Sequence, residues 1–258
     1  MSMMIPDKSS RQTNDDRPRI AFNRNPIIEA RNLYKSFGGV RATQDVSIEV
    51  FEGEIVGLIG PNGSGKTTLL NMMAGFYRPD AGQILFRGQN ITGLSANQIA
   101  RLGIIRTWQD PRIVSALWVR QNIEIGGLAS GNKGPEQARF VSELIEIFDL
   151  VEVEEQKAGL LSYGRQKIVA LARSLAAKPE VLMLDEPLAG LSAPEQKQMV
   201  RYIREFQRTG SVVIVDHAFG VIMTLCDRVV VLNSGSKLAE GTPAEIASNK
   251  SVVEVYLR

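Results

Sequence analysis

The chain has 258 residues, enough for a sizeable core in one compact unit or two small subdomains. Its 30 basic and 28 acidic residues leave a net charge of +2, which excludes a strong electrostatic pull on nucleic acid. One cysteine, Cys226, excludes an intrachain disulfide and fits a reducing compartment, and no unbroken apolar run approaches the roughly 18 to 20 residues of a membrane span.

Residues 1–26 are polar, lack the apolar core of a signal peptide, and are expected to form a flexible tail. Strand patterning follows at Ile27 to Leu33 and Val46 to Val50, with Gly38-Gly39 as a turn between them. A third strand, Glu54 to Ile59, runs into Gly60-Pro61-Asn62-Gly63-Ser64-Gly65-Lys66-Thr67 and then a helix that ends near Gly75. This is the pattern G-x-x-x-x-G-K-[ST] in its strand–turn–helix setting. Glycines 60, 63 and 65 free the backbone to wrap N–H groups around a polyphosphate at the positive end of the helix. Lys66 can reach the terminal phosphates and the Thr67 hydroxyl can ligate Mg²⁺. With Thr68 beside them, these residues form the nucleoside-triphosphate-binding set.

Gln83 to Arg87 reads as a further short strand, after which the character changes. From Gly88 to about Leu160 helical segments dominate, with Phe140, Val141, Leu144, Ile147 and Phe148 on one face of a helix from Glu136 to Leu150. Gly126-Gly127 and Ser130 to Pro135 are expected to be loops. Residues 88–160 therefore read as a helical subdomain inserted into a nucleotide-binding core of 27–87 and 161–258. The core resumes with a helix from Ser162 to Ala177, a buried strand at Val181 to Leu184 and an amphipathic helix from Pro194 to Arg208. A second buried strand at Val212 to Val215 and a hairpin around Asn233-Ser234-Gly235 complete an α/β parallel sheet.

Chemistry concentrates where these strands end. Asp185 closes the Val181 strand, where phosphate-loop proteins place the acid that holds Mg²⁺. The adjacent Glu186 would sit beside the γ-phosphate and could orient and deprotonate the attacking water. Ser162 can cap the helix that it precedes, aiming N–H groups at a second phosphate site.

Leu161-Ser162-Tyr163-Gly164-Arg165-Gln166-Lys167 resembles the L-S-G-G-Q signature of ATP-binding cassette (ABC) ATPases. Tyr163 departs from a signature glycine and Arg165 from the glutamine, while Gly164 is kept. The resemblance runs from about Ile27 to the C-terminus and implies a cassette with a RecA-like core, an antiparallel β subdomain and the helical insert. Ala74 to Gly82, Ile91 to Leu94, Arg106 to Gln109 and the ending Glu240 to Ile246, then Val252 to Leu257, are similar to the ATPase subunit of branched-chain amino acid importers.

The resemblance implies ATP with Mg²⁺ and assigns residues. Gln109 resembles the Q-loop glutamine, a Mg²⁺ ligand that reports nucleotide state to the insert. His217, the only histidine, resembles the switch histidine of the γ-phosphate. Phe37 resembles the aromatic that stacks on adenine, with Tyr34 as a competitor. Ser192 occupies the D-loop place and also starts a capping box, Ser192-Ala193-Pro194-Glu195. Ser162 and Gly164 would bind ATP held by a second cassette, in a homodimer or heterodimer. The implied partners are integral membrane permease subunits and, indirectly, a periplasmic or extracellular solute-binding protein. The implied location is the cytoplasmic face of the membrane. A non-transport cassette acting in translation, repair or assembly is the alternative, against which stand the single cassette and short insert.

Overall fold

The structure, a computed structural model, describes residues 25–129 and 134–256. In chain order its first half contains β1 (Ile28–Phe37), β2 (Val40–Val50), β3 (Ile55–Ile59), α1 (Lys66–Met73), β4 (Ala81–Phe86), β5 (Gln89–Asn90), α2 (Ala96–Arg101), β6 (Ile104–Arg106), α3 (Val119–Ala129) and α4 (Pro135–Ile147). There follow α5 (Tyr163–Leu175), β7 (Val181–Asp185), α6 (Ala193–Gln207), β8 (Ser211–Val215), α7 (Phe219–Leu225), β9 (Arg228–Asn233), β10 (Ser236–Gly241), α8 (Pro243–Ser248) and α9 (Lys250–Tyr256).

Two sheets organise these elements. An antiparallel sheet has the order β2-β1-β4-β5, and a six-stranded sheet the order β10-β9-β3-β8-β7-β6. In the second, β9, β3, β8, β7 and β6 are mutually parallel and only β10 runs antiparallel, at one edge. The parallel strands are buried on both faces, so they are apolar without alternation. Their side chains nonetheless alternate between two cores. Val181 and Met183 join the cluster built with α1 and the antiparallel sheet, while Leu182 and Leu184 join the cluster built with α4 to α8. Gly57 belongs on the second face, where a Cβ would lie 2.8 Å from the Sγ of buried Cys226.

Several expectations change in detail, each for a physical reason. β1 runs on to Phe37 rather than ending near Leu33, because irregular pairing around Asn32 (φ +48°) breaks the alternation that marks a strand. α4 stops at Ile147 rather than Leu150, since Asp149 turns left-handed (φ +54°) just past its cap. Residues 88–160 are not wholly helical: β5 joins the antiparallel sheet and β6 forms the far edge of the parallel one.

The expectation that Gly126-Gly127 forms a loop is wrong. Both glycines lie inside α3. A Cβ at Gly126 would collide with the carbonyl oxygen of Arg173 in α5, so glycine here permits two helices to touch backbone to backbone. Of the expected loop at 130–135, residues 130–133 lie outside the described residues, as do 1–24 of the expected tail. Gly134 caps α4 and Pro135 opens it.

Gly126→Ala gives a test with a diagnostic sign. Alanine favours a free helix by about 1 kcal/mol over glycine, but overpacking at α5 is expected to reverse this and destabilise the chain by about 1–3 kcal/mol. Urea denaturation measures it; a stabilised variant would contradict the α3–α5 contact.

Candidate functional site

Because β3, β6, β7 and β8 are parallel and in register, their carboxyl ends lie along one edge of the sheet. Each delivers one part of a polar cluster: the loop after Ile59, Arg106 with the segment to Gln109, Asp185-Glu186, and Asp216-His217.

The loop from Gly60 to Gly65 approaches β2 so closely that a Cβ on Gly65 (φ +102°) would strike the Ala42 carbonyl oxygen. Gly65 also caps α1, so the helix starts at Lys66. The Lys66 ammonium is buried and folds back to donate to the carbonyls of Gly60 (2.8 Å) and Pro61 (2.9 Å). Burial lowers its pKa below the ordinary lysine value, and the charges of Glu186 and Asp185 oppose that shift. A cation already desolvated inside a ring of backbone suits a polyphosphate, which would replace the weaker carbonyl partners. The Ser64 hydroxyl is buried without a hydrogen-bond partner, whereas Asn62, Gly63 and Thr67 are exposed.

Asp185 and Glu186 have different surroundings. Asp185 is held through Oδ2 by Arg106 at 2.7 Å, with both side chains almost fully buried. Arg106 also donates to Asn71 Oδ1 of α1 and stacks on Trp108, its guanidinium 4.4 Å from the ring centroid. Arg112 covers Trp108 at 3.8 Å, and Phe76 meets it edge-on at 4.8 Å. Glu186 adopts a left-handed backbone (φ +48°), a conformation a non-glycine residue holds only under constraint. Its carboxylate accepts from Gln109 Nε2 at 2.8 Å and meets His217 Nε2 at 3.2 Å. Gln109 and His217, far apart in sequence, thus each contact Glu186.

The donor set fits a hard divalent cation, which takes oxygen ligands. Gln109 uses its amide nitrogen on Glu186, leaving its carbonyl oxygen outside that bond. Asp185 likewise has one carboxylate oxygen outside the Arg106 pair, and the Thr67 hydroxyl is at the start of α1.

On the far side of the cluster Ser162 caps α5, accepting from Arg165 N at 3.3 Å. Gly164 packs on α6, where a Cβ would collide with the Glu195 carboxylate. The Tyr163 hydroxyl is 3.5 Å from the Gln109 carbonyl oxygen. Ser192 does form the capping box with Glu195, at 2.7 and 2.8 Å. Those hydrogen bonds hold the Glu195 carboxyl below its ordinary pKa. Phe37 lies at the end of β1, exposed, edge-on to Tyr77 at 5.1 Å with Lys35 over its ring; Tyr34 is equally exposed.

Two residues that sequence reasoning did not single out are central here. Arg106 was hidden because β6, only three residues long, was not recognised as a strand. Lys167 is 5% exposed and donates to the carbonyls of Glu186 (2.7 Å) and Ala189 (2.8 Å). A charge on the apolar stripe of Ile168 and Leu171 was its available signal.

A phosphate loop, a carboxylate pair, a glutamine and a histidine on parallel strand ends, beside a capped second helix, define an ATP-binding cassette. The family described as "ABC transporter" matches residues 43–189, and the "Branched-chain amino acid ATP-binding cassette transporter" family matches 236–257. The chain belongs to the ABC transporter family of ATP-binding proteins, which are ATPases. It is 38% identical to the high-affinity branched-chain amino acid transport ATP-binding protein LivG of Escherichia coli K12, across 90% of this chain and 98% of that one. It is 35% identical to BraF of Pseudomonas aeruginosa, with the same coverage. A nucleotide-free ATP-binding cassette from an ABC transporter and a cassette in its ADP conformation each superpose with a TM-score of 0.84 at 29% identity. They cover 90% and 91% of this chain and 99% of their own lengths.

Arg106→Met is expected to destabilise the fold by about 3–5 kcal/mol, because it leaves the Asp185 charge buried and unpaired. Chemical denaturation without nucleotide measures this, and a loss below about 1 kcal/mol would show that the pair contributes little.

Proposed function

We propose that this protein is the ATP-hydrolysing subunit of an importer of branched-chain amino acids or related amino acid and amide solutes. The observation that carries the catalytic part is the Glu186 carboxylate, held between Gln109 and His217 at the strand edge that bears Lys66. Glu186 is the general base for the attacking water. His217 hydrogen-bonds the γ-phosphate, and Gln109 senses nucleotide state. Mg²⁺, ligated by Thr67, Gln109 and Asp185, would neutralise charge on the phosphates. Lys66 and the N–H groups of Asn62 to Thr68 cradle the phosphates, with Gly60 and Pro61 shaping the loop, while Phe37 stacks on the base. The solute class rests on the names and identities of the relatives.

Ser162 and Gly164 act across a dimer, completing the ATP site of a second cassette, identical or different. The subdomain within 88–160 faces the permease. Residues 115–118 and 157–159 lie side by side, through Trp118 paired with Lys157 and Ala158 N bonded to the Leu117 carbonyl at 2.9 Å. Trp118 on this pairing, Val114 just before it and Leu160 just after it are exposed apolar side chains, suited to contact with a membrane protein's cytoplasmic loops. No helix among the described residues is long and apolar enough to cross a membrane; in this reading the permease holds the chain at the cytoplasmic face. A solute-binding protein would act on the other side.

Glu186→Gln is expected to lower ATP turnover roughly 10²- to 10⁴-fold while ATP still binds. Turnover near wild type would remove Glu186 from its role. Trapped with ATP, the same variant should co-purify with a multi-span permease from native membranes; ribosomes or nucleic acid instead would favour a non-transport cassette. Lys66→Ala is expected to weaken nucleotide binding about 10- to 100-fold, as the loss of a charged hydrogen bond to phosphate would. Titration with a fluorescent ATP analogue reads it.

A further inference from the structure

We propose that Lys167 is the positioning residue of the catalytic carboxylate: it fixes the backbone of Glu186 from the signature helix, and so sets where the general base stands. The proposal rests on the reading of Glu186 as that base. Four observations carry it. First, the ammonium of Lys167, 5% exposed, has main-chain oxygens as its hydrogen-bond partners, the carbonyls of Glu186 and Ala189 at 2.7 and 2.8 Å. A buried cation that spans two carbonyls three residues apart holds a loop in one shape, because release would leave the charge unsolvated. Second, the loop it holds needs holding. Glu186 sits at φ +48°, and its N–H is tied to the Val215 carbonyl at 2.7 Å, so the peptide before its Cα is fixed by β8 and the peptide after it by Lys167.

Third, the same loop is gripped from its opposite polarity. Asp216 accepts from Leu188 N and from Ala218 N, each at 2.9 Å, which joins the segment after Glu186 to the segment bearing His217. Lys167 and Asp216 thereby align both partners of the Glu186–His217 contact. Fourth, Lys167 stands one turn into α5, behind Ser162 and Gly164, with its ammonium 5.3 Å from the centre of the Tyr163 ring. Tyr163 in turn reaches the Gln109 carbonyl. A single helix thus reaches the main chain of both Glu186 and Gln109.

The test is a mutant cycle between Lys167→Met and Glu186→Gln, read as ATP turnover, nucleotide affinity and melting temperature. Lys167→Met alone is expected to lower turnover about 10- to 100-fold, the cost of displacing a reacting group by about an ångström. Nucleotide affinity should stay within about twofold. In the Glu186→Gln background the same change should cost less than about twofold, because the group it positions is already disabled. Lys167→Arg, which keeps the charge and can still donate to both carbonyls, should retain most of the turnover that the Met variant loses. An equal loss in both backgrounds, or a loss of nucleotide affinity matching the loss of turnover, would reduce Lys167 to a structural role and overturn the proposal. If Lys167→Met does not fold, Lys167→Gln, polar but uncharged, takes its place in the cycle. A folded Gln variant whose turnover falls at unchanged nucleotide affinity, with the difference vanishing in the Glu186→Gln background, supports positioning, and one whose turnover equals wild type at every ATP concentration overturns it. Full turnover in Glu186→Gln by itself would refute the reading of the base, an outcome distinct from any failure of Lys167.

Discussion

The parallel register of four strands is the constraint on which the site depends. Ladder bonds align Ile59, Arg106, Asp185 and Val215 at one edge, so residues spread over more than a hundred positions of sequence meet within hydrogen-bond distance. A parallel strand must be reached by a crossover, and the crossovers are the helices that cover both faces of the sheet. The same arrangement that buries Val181 to Leu184 on two sides therefore delivers Asp185 and Glu186 to the rim. Register and chemistry are one fact here: a slip in pairing between β7 and β8 would part Glu186 from His217.

The rim is also where the protein keeps desolvated charge. The side chains of Lys66, Arg106, Asp185 and Lys167 are all buried, with three kinds of counterpart: backbone carbonyls for both lysines, a carboxylate with an amide for Arg106, and a guanidinium for Asp185. Two of the four are cations neutralised mainly by peptide dipoles rather than by a carboxylate in contact. Burial depresses the pKa of both lysines, and the nearby acids push the other way, so the cluster is electrostatically coupled.

Much of this was legible in the sequence, and the illegible part has a physical pattern. The phosphate loop, the buried strands and the carboxylate pair declare themselves because each is a local signal: glycine spacing, an apolar run, a charge at its end. Gln109 and His217 were placed through family resemblance and, for His217, its position at the exit of a buried strand, since a lone glutamine or histidine has no local signature of its own. Arg106 and Lys167 escaped because their partners are main-chain or distant acceptors, a relation that no spacing encodes. The glycines of α3 misled for the opposite reason. Gly126 reads as a helix breaker, but a tertiary contact with Arg173 made it the residue that a helix crossing demands.

One further consequence comes from the thiol under β3. Cys226 is the chain's sole cysteine, fully buried, and desolvation raises its pKa far above the ordinary thiol value. The folded protein is therefore expected to resist thiol-directed reagents without any engineering. A cysteine introduced anywhere on its surface becomes a unique attachment point for a fluorophore, a spin label or a crosslinker. Motions between the helices and the sheet edge can then be followed by spectroscopy in an otherwise unaltered chain, with the native thiol as an internal marker that labels only when the fold opens.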